Sequence, residues 1–375
     1  MTPAPGIRVG VHRALEDADP HRWDGLLGPR GFYAATPWLR HAEATAATAP
    51  YYFTAHDGQD RRTGVLSAYP LDHDTPYVFC SPARVIDGIH RRLTGEEAPW
   101  TAGLVPALAC GGRNPSHSKA GLAPGQDGEA GRATLTALVR RAEEEAWAAG
   151  MRAVSFLYVD EDDDLLRAVL AERGYTALPG QTAYSLPVPG DGSFDSYLAR
   201  FAGSRRTKIK RELRALDEAG VTYRTQPLTP GLIEQLAPLE LALYAKYGTP
   251  ANADAFTAVL HSVARHASGA TRVTTATLDG RLAGFALTFT HGGEMYARQA
   301  GFDYEVQGRL PLYFGLVSYE LLRTALAEGL SHIHYSTGSD EAKLLRGCTP
   351  VRQIAYVKAR HPEEATRLTR LATTT

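Results

Sequence analysis

The stretch VTTATLDGRLAGFALTF, Val273 to Phe289, decides the fold. Arg272 to Leu278 and Leu282 to Phe289 read as two strands, and the Asp279-Gly280 pair between them is the dipeptide that a tight hairpin turn favours, because its central residues need positive φ. Toward the C-terminus, Glu294 to Ala300 is a further strand, Pro311 to Gly329 a long helix stopped by glycine, and Ser331 to Ser336 and Gln353 to Ala359 two more strands. Toward the N-terminus lie helices over Asp254 to Ala267 and Pro230 to Tyr247, preceded by a basic helix, Phe194 to Ala219, that stops at Gly220. The first half repeats the plan. A helix over Arg132 to Gly150 runs into a buried strand, Met151 to Val159, then a helix over Asp160 to Glu172 and a strand after Gly174-Tyr175. In both halves a helix ending in glycine feeds directly into a strand, at a separation of about 180 residues, too long for a solenoid and suited to a duplicated domain. The Pro/Gly-rich joint SLPVPGDGS (185–193) divides the chain into residues 1–188 and 189–375, with the basic helix 194–219 as the link. Residues 111–130, rich in Gly, Pro and Ser, read as a long loop.

The 375 residues carry 40 Lys+Arg against 41 Asp+Glu, a net charge of −1, with 44% hydrophobic residues. That balance excludes whole-chain disorder and a protein that coats nucleic acid by bulk charge, while leaving room for a local basic site. Cys80, Cys110 and Cys348 are widely spaced and form no Cys-x-x-Cys pair, so neither a disulfide framework nor a zinc knuckle is expected. His332 and His334 share a strand face, but no third ligand stands at motif spacing, so no metal is expected. The acidic run from Asp160 to Asp164 reads as the opening of a helix. The N-terminal MTPAPGIRVGVHRALEDADP has no apolar run and no segment reaches membrane-spanning length, so a cytoplasmic protein is expected.

Three stretches carry a resemblance. They are Ser204-Arg-Arg-Thr-Lys-Ile-Lys-Arg-Glu-Leu-Arg214 followed by Glu218-Ala-Gly-Val221, Tyr296-Ala-Arg298 with Gly301, and Gly338-Ser-Asp-Glu-Ala-Lys343-Leu-Leu-Arg346-Gly347 leading to Pro350-Val351. Together they resemble the FemAB/FemX-like aminoacyltransferases, in the peptidoglycan biosynthesis/recognition branch of the GNAT superfamily. The likeness is strong over Phe194 to Arg360 and loose over residues 20–115. It implies an α/β protein of tandem GNAT-like domains, each a mixed, mostly antiparallel sheet flanked by helices. It also implies transfer of an aminoacyl group from aminoacyl-tRNA to an amine of a small-molecule or cell-wall-type acceptor. An acyl-CoA-dependent N-acyltransferase and a non-catalytic binding protein are the alternatives. No cofactor is expected, acyl-CoA being a co-substrate in the second reading. Two positions depart from the family pattern: Leu310-Pro-Leu-Tyr313 replaces a His-Phe-Glu element, and Ala342 stands where relatives have His beside the lysine.

Amide formation from an activated ester needs a neutral amine, alignment and a stabilised oxyanion, but no nucleophilic side chain. Lys343 and Arg346, three apart, share a face if helical, and two converging cations suit a phosphate or an ester carbonyl. In relatives the equivalent lysine is implied in handling the tRNA end. Residues 200–214 hold seven cations against Glu212, among them Arg205, Arg206 and Lys208, a pattern for a phosphate-rich ligand. Tyr296 and Arg298 share a strand face, the tyrosine suited to an oxyanion or a proton relay, and Asp303 is a candidate general base. Tyr313 and Tyr335 are candidates to line the acceptor groove. A CoA-dependent GNAT places a Gly-rich loop before its central helix, whose amides cradle pyrophosphate. Here Val306-Gln-Gly-Arg-Leu-Pro311 has one glycine and a proline, which tilts the donor toward aminoacyl-tRNA.

Overall fold

A computed structural model describes residues 6–75, 78–113, 116–246, 248 and 252–374. The chain divides into two units, residues 1–182 with 351–375, and residues 183–350. In chain order the first holds β1 (Arg8–His12), α1 (Thr36–Ala44), β2 (Tyr51–His56), β3 (Arg62–Leu71), α2 (Pro82–Thr94), β4 (Ala107–Cys110), β5 (Gly121–Leu122), α3 (Gly128–Ala148), β6 (Ala153–Asp160) and α4 (Asp164–Glu172). The strand β7 (Thr176–Pro187) carries the chain into the second unit, with α5 (Phe194–Ala199), α6 (Gly203–Glu218), β8 (Thr222–Gln226), α7 (Pro230–Lys246) and α8 (Ala253–His266). There follow β9 (Thr271–Leu278), β10 (Arg281–His291), β11 (Glu294–Phe302), α9 (Tyr304–Gln307), a π-helical segment (Phe314–Glu320) leading into α10 (Leu321–Ala327), β12 (His332–Thr337) and α11 (Asp340–Leu344). The chain returns through β13 (Thr349–Ala359) to α12 (Pro362–Ala372).

Each unit has the same internal logic. In the first the strand order is β1-β2-β3-β4-β6-β13, antiparallel except for the parallel pair β4 and β6. In the second it is β7-β12-β11-β10-β9-β8, antiparallel except for the parallel pair β11 and β12. A parallel pair requires a crossover, and in each unit a helix supplies it: α3 in the first, the π-helical segment with α10 in the second. The expected hairpin is present, with Asp279 at φ 51° and Gly280 at φ 74° in its turn. The α3 helix buries Leu135, Leu138 and Val139 against the first sheet, while Leu316, Leu321 and Leu322 fill the core of the second unit.

The boundaries differ from the sequence reading. The chain crosses between Thr182 and Ala183, inside β7, because the Pro/Gly joint follows the strand rather than interrupting it. Residues 351–375 belong to the first unit. Gln353 to Ala359 of β13 pair with β6, and Leu368 and Leu371 of α12 pack with Ile86 and Ile89. The expected linking helix is two helices broken at residues 200–202, both inside the second unit. Tyr247, expected to end α7, lies outside the described residues, as do Asn114 and Pro115 of the expected loop.

Candidate active site

In each unit the parallel pairing is short. In the first it ends at Ala109 and Ser155, and the chain itself then enters between β4 and β6. The Ser118 amide donates to the Tyr158 carbonyl (2.8 Å), the Tyr158 amide donates to Ser118 Oγ (3.1 Å), and the Lys119 amide donates to the Gly111 carbonyl (2.9 Å). This segment is pinned by Asp160, which is fully buried at the end of β6 rather than opening α4 as the acidic run suggested; Asp163 caps that helix instead. Around the Asp160 carboxylate stand His117 Nδ1 at 2.7 Å, Gln353 Nε2 at 2.9 Å, Arg30 Nη1 at 3.0 Å and Lys119 Nζ at 3.5 Å. Burial pushes its pKa up, but His117, Lys119 and Gln353 outweigh burial and hold it well below the carboxylate range. A depressed folded-state pKa contributes stability that is lost as pH falls below the ordinary carboxylate value. Asp160→Ala is expected to cost about 3–5 kcal/mol by stranding buried cations. Urea unfolding checks it, and a variant within 1 kcal/mol (about one pKa unit) of the parent would contradict this pinning role.

In the second unit the pairing of β11 with β12 runs from Glu294/His332 to Tyr296/His334 and stops. Beyond it β12 turns, with Ser336 at φ 55°, to meet Ala183 of β7 at Thr337. The β11 strand continues against β10 with a register shift that leaves Arg298 as the extra residue between Ala297 and Gln299. Such a bulge re-aims a side chain, and bulges gather beside active sites.

The candidate residues fall into three groups. Lys343, Arg346, Tyr313 and Tyr335 do come together, lining with Leu186, Ser318 and Cys348 a small pocket of about 10 Å³, room for one water at most. Both cations, however, are engaged within the protein. Lys343 Nζ donates to the carbonyls of Tyr335 (3.0 Å), Ser336 (3.1 Å) and Thr337 (2.9 Å), holding the turned end of β12. Burial lowers its pKa to about 8. Arg346 Nη2 donates to both oxygens of Glu212 on α6 (2.9 and 2.8 Å), and its guanidinium lies 3.7 Å over the Phe314 ring. Within the protein the two cations brace the strand end and the helix. Tyr335 is half-buried and donates to the Val317 carbonyl (2.9 Å).

The second group lies on β11 and just after it. Tyr296 is buried, donates to Glu294 (2.7 Å) and stacks on His334, which makes it a core tyrosine rather than an oxyanion donor. Arg298 is half-buried at the bulge. Asp303 is an N-cap. Its Oδ1 accepts the amides of Glu305 and Val306, both at 3.0 Å, which is a capping role that the sequence reading did not foresee. The amides that follow are engaged too: Gln307 bonds Asp303, Gly308 bonds Tyr304, and Leu310 bonds Gln307. Five of the six amides from Glu305 to Leu310, all but that of Arg309, are thus engaged, which leaves this loop itself without a run of free amides to cradle a pyrophosphate.

The third group is α6. Ile209 and Leu216 face the core, and Arg205 is half-buried with its Nη1 unpartnered. Arg206, Lys208, Lys210, Arg211 and Arg214 are exposed, and none forms an ion pair among the described residues. Arg206, Lys210 and Arg214, four apart, share one face.

Sequence reading missed Glu240. It lies on α7, 2% exposed, with Gln299 Nε2 3.4 Å from Oε1 and no partner for Oε2. Burial raises its pKa to about 8, opposed by the charge of Arg298 and by Gln299 and Tyr244. Gly301 explains the approach. A Cβ there would lie 2.5 Å from the Glu240 amide nitrogen, so only glycine lets α7 press this closely on β11.

Comparison with known proteins agrees with this architecture. Residues 203–344 match the acetyltransferase (GNAT) domain model. The crystal structure of FemX superposes with a TM-score of 0.63 at 12% identity, over 96% of this chain and 99% of that one. The tandem GNAT protein from the clavulanic acid biosynthesis pathway superposes with a TM-score of 0.53 at 15% identity, over 95% and 99%. The fold is that of a FemX-like tandem GNAT protein. L-PGS from Bacillus licheniformis is also similar, with a TM-score of 0.50 at 9% identity over 86% of this chain and 89% of that one. None of the curated sequences compared with the chain matches it. In the tandem GNAT fold, the second unit contains the matched domain from α6 to α11. Among the described residues no helix is long and apolar enough to cross a membrane.

Proposed function

We propose that the chain is an acyltransferase whose second unit moves an aminoacyl group from the 3′ end of aminoacyl-tRNA to an amine of a small-molecule or cell-wall-type acceptor, in the cytoplasm. The observation that carries the choice of donor is the engagement of the amides of residues 305–308 and 310 by Asp303, Tyr304 and Gln307, where a CoA-dependent enzyme needs free amides for pyrophosphate. The unpaired cations of α6 supply the matching attraction for a polyanionic carrier. Lys343 and Arg346 contribute by fixing the end of β12 and the seat of α6, and Arg298 stands at the bulge where the parallel strands have parted. Catalysis is mainly alignment and electrostatics, as direct attack by an amine on an ester allows.

A second reading, acyl transfer from acyl-CoA, is favoured by the match of residues 203–344 to the acetyltransferase domain. Incubating the chain with charged tRNA pools or acetyl-CoA and a panel of amines, with mass spectrometry of the products, separates the two. Aminoacylated amine from charged tRNA alone is expected. Product from acetyl-CoA alone would overturn the choice of carrier, and product from neither would leave a binding protein.

A further inference from the structure

The α2 helix sets two kinds of residue side by side. Ile86 and Ile89 are buried in the first unit with Leu157 of β6. Arg84, Gly88 and Arg92, each four residues apart, share another face of the helix. Beside that face lies a hollow of about 310 Å³, within the range of small-molecule sites, and all its lining belongs to the first unit. Ile89 and Leu157 give it an apolar floor, and Phe79, 57% exposed, gives it an aromatic wall. Its lining carries Arg84 and Arg92 and no carboxylate. Gly88 leaves room for it. Glycine inside a helix costs stability relative to alanine, and a Cβ added here would meet nothing within 4 Å, so packing does not demand it. We infer that the hollow beside α2 is a binding site for a small amphipathic carboxylate, an apolar body bearing one negative charge.

Charge complementarity selects the ligand. Arg92 is tethered, its Nη2 donating to the carbonyls of Pro179 (2.8 Å) and Gly180 (3.1 Å). Arg84 is exposed and has no hydrogen bond or ion pair among the described residues. It also borders a second hollow that holds Asp87 and Glu97, but those carboxylates pair with Arg91 instead. One free guanidinium matches one carboxylate, which its planar fork meets with two parallel hydrogen bonds. The apolar floor and the Phe79 ring take the body, removing its surface from water. Arg84 and Arg92 stand about 12 Å apart along the helix axis, at 1.5 Å per residue, so a medium-length acyl chain or an aromatic ring fits between them. This site goes beyond the acyl-transfer reading and does not depend on it.

The test is a fluorescence titration of the full-length chain with anilinonaphthalene sulfonate, an aromatic body with one negative charge, followed by displacement. Saturable binding of one probe per chain is expected, displaced by octanoate but not by equal concentrations of acetate, which lacks the body, or octanol, which lacks the charge. Arg84→Gln is expected to weaken octanoate by roughly 10–100-fold, the worth of hydrogen bonds to a charged group. Gly88→Phe is expected to abolish binding by filling the hollow, with a Tm no lower than the parent's, while Gly88→Ala, too small to fill it, keeps binding. Arg84 is exposed and unpaired, so its variant reads the site without a folding defect. A parent without saturable binding, or a Gly88→Phe variant that binds like the parent, overturns the site. Octanol displacing as well as octanoate, or an Arg84→Gln variant with unchanged affinity, overturns the choice of an anion. Phenyl phosphate displacing more tightly than octanoate overturns the carboxylate. A doubled mass in sedimentation that Gly88→Phe abolishes assigns the hollow to a second copy of the chain and overturns the small ligand.

Discussion

Replacing Arg346 with methionine is expected to lower the stability of the chain by about 3–5 kcal/mol, because it leaves the Glu212 carboxylate buried without its cation. The side chains of the pair are 3% and 11% exposed, so solvent cannot take over. The loss reaches beyond one bond. Arg346 lies over Phe314, and Tyr319 donates to the same Glu212. The pair thus ties the turn after α11 to α6 and to the π-helical segment. The double variant Arg346→Met with Glu212→Leu removes both charges at similar volume and is expected to recover much of the loss, since a buried pair replaced by apolar groups is often neutral. Recovery stays partial because the Tyr319 hydroxyl loses its acceptor. Urea unfolding of the two single variants and the double gives the coupling directly. Additive losses would mean that the guanidinium and carboxylate do not depend on each other.

Reversing three charges on α6, with Arg206→Glu, Lys210→Glu and Arg214→Glu together, is expected to do the opposite: little to stability and much to activity. These side chains are exposed and unpaired, so stability should change by no more than about 0.5 kcal/mol. Affinity for charged tRNA should fall by roughly 10²–10³-fold, and the dependence of binding on salt should flatten, because each cation that meets a phosphate releases a counterion. Binding isotherms at several salt concentrations read both effects. Unchanged affinity and slope would remove α6 from the donor site.

Much of the fold was legible because local chemistry and tertiary demand agree. Asp279-Gly280 could only be a tight turn, and the glycine-stopped helices before β6 and β12 announced two similar units. The return of residues 351–375 was illegible because strand pairing between distant segments leaves no mark in either segment alone. The site was read unevenly. Lys343 and Arg346 were found, but not their engagement, since sequence records a cation and not the three carbonyls or the carboxylate that meet it. Asp303 looked like a base because the short helix it caps was not foreseen. Glu240 drew no notice because a single glutamate in a helix reads as a surface charge. Its one signal was Gly301, quoted with Tyr296 and Arg298 but with no partner to explain why a Cβ was forbidden there.

The most direct measurement of the central claim is equilibrium binding of charged tRNA and of CoA to the same preparation, at fixed ionic strength. The account expects saturable binding of charged tRNA that weakens steeply as salt is raised, and no saturable binding of CoA, since the amides of residues 305–308 and 310 are already bonded within the chain. Saturable CoA binding with none by charged tRNA would contradict it.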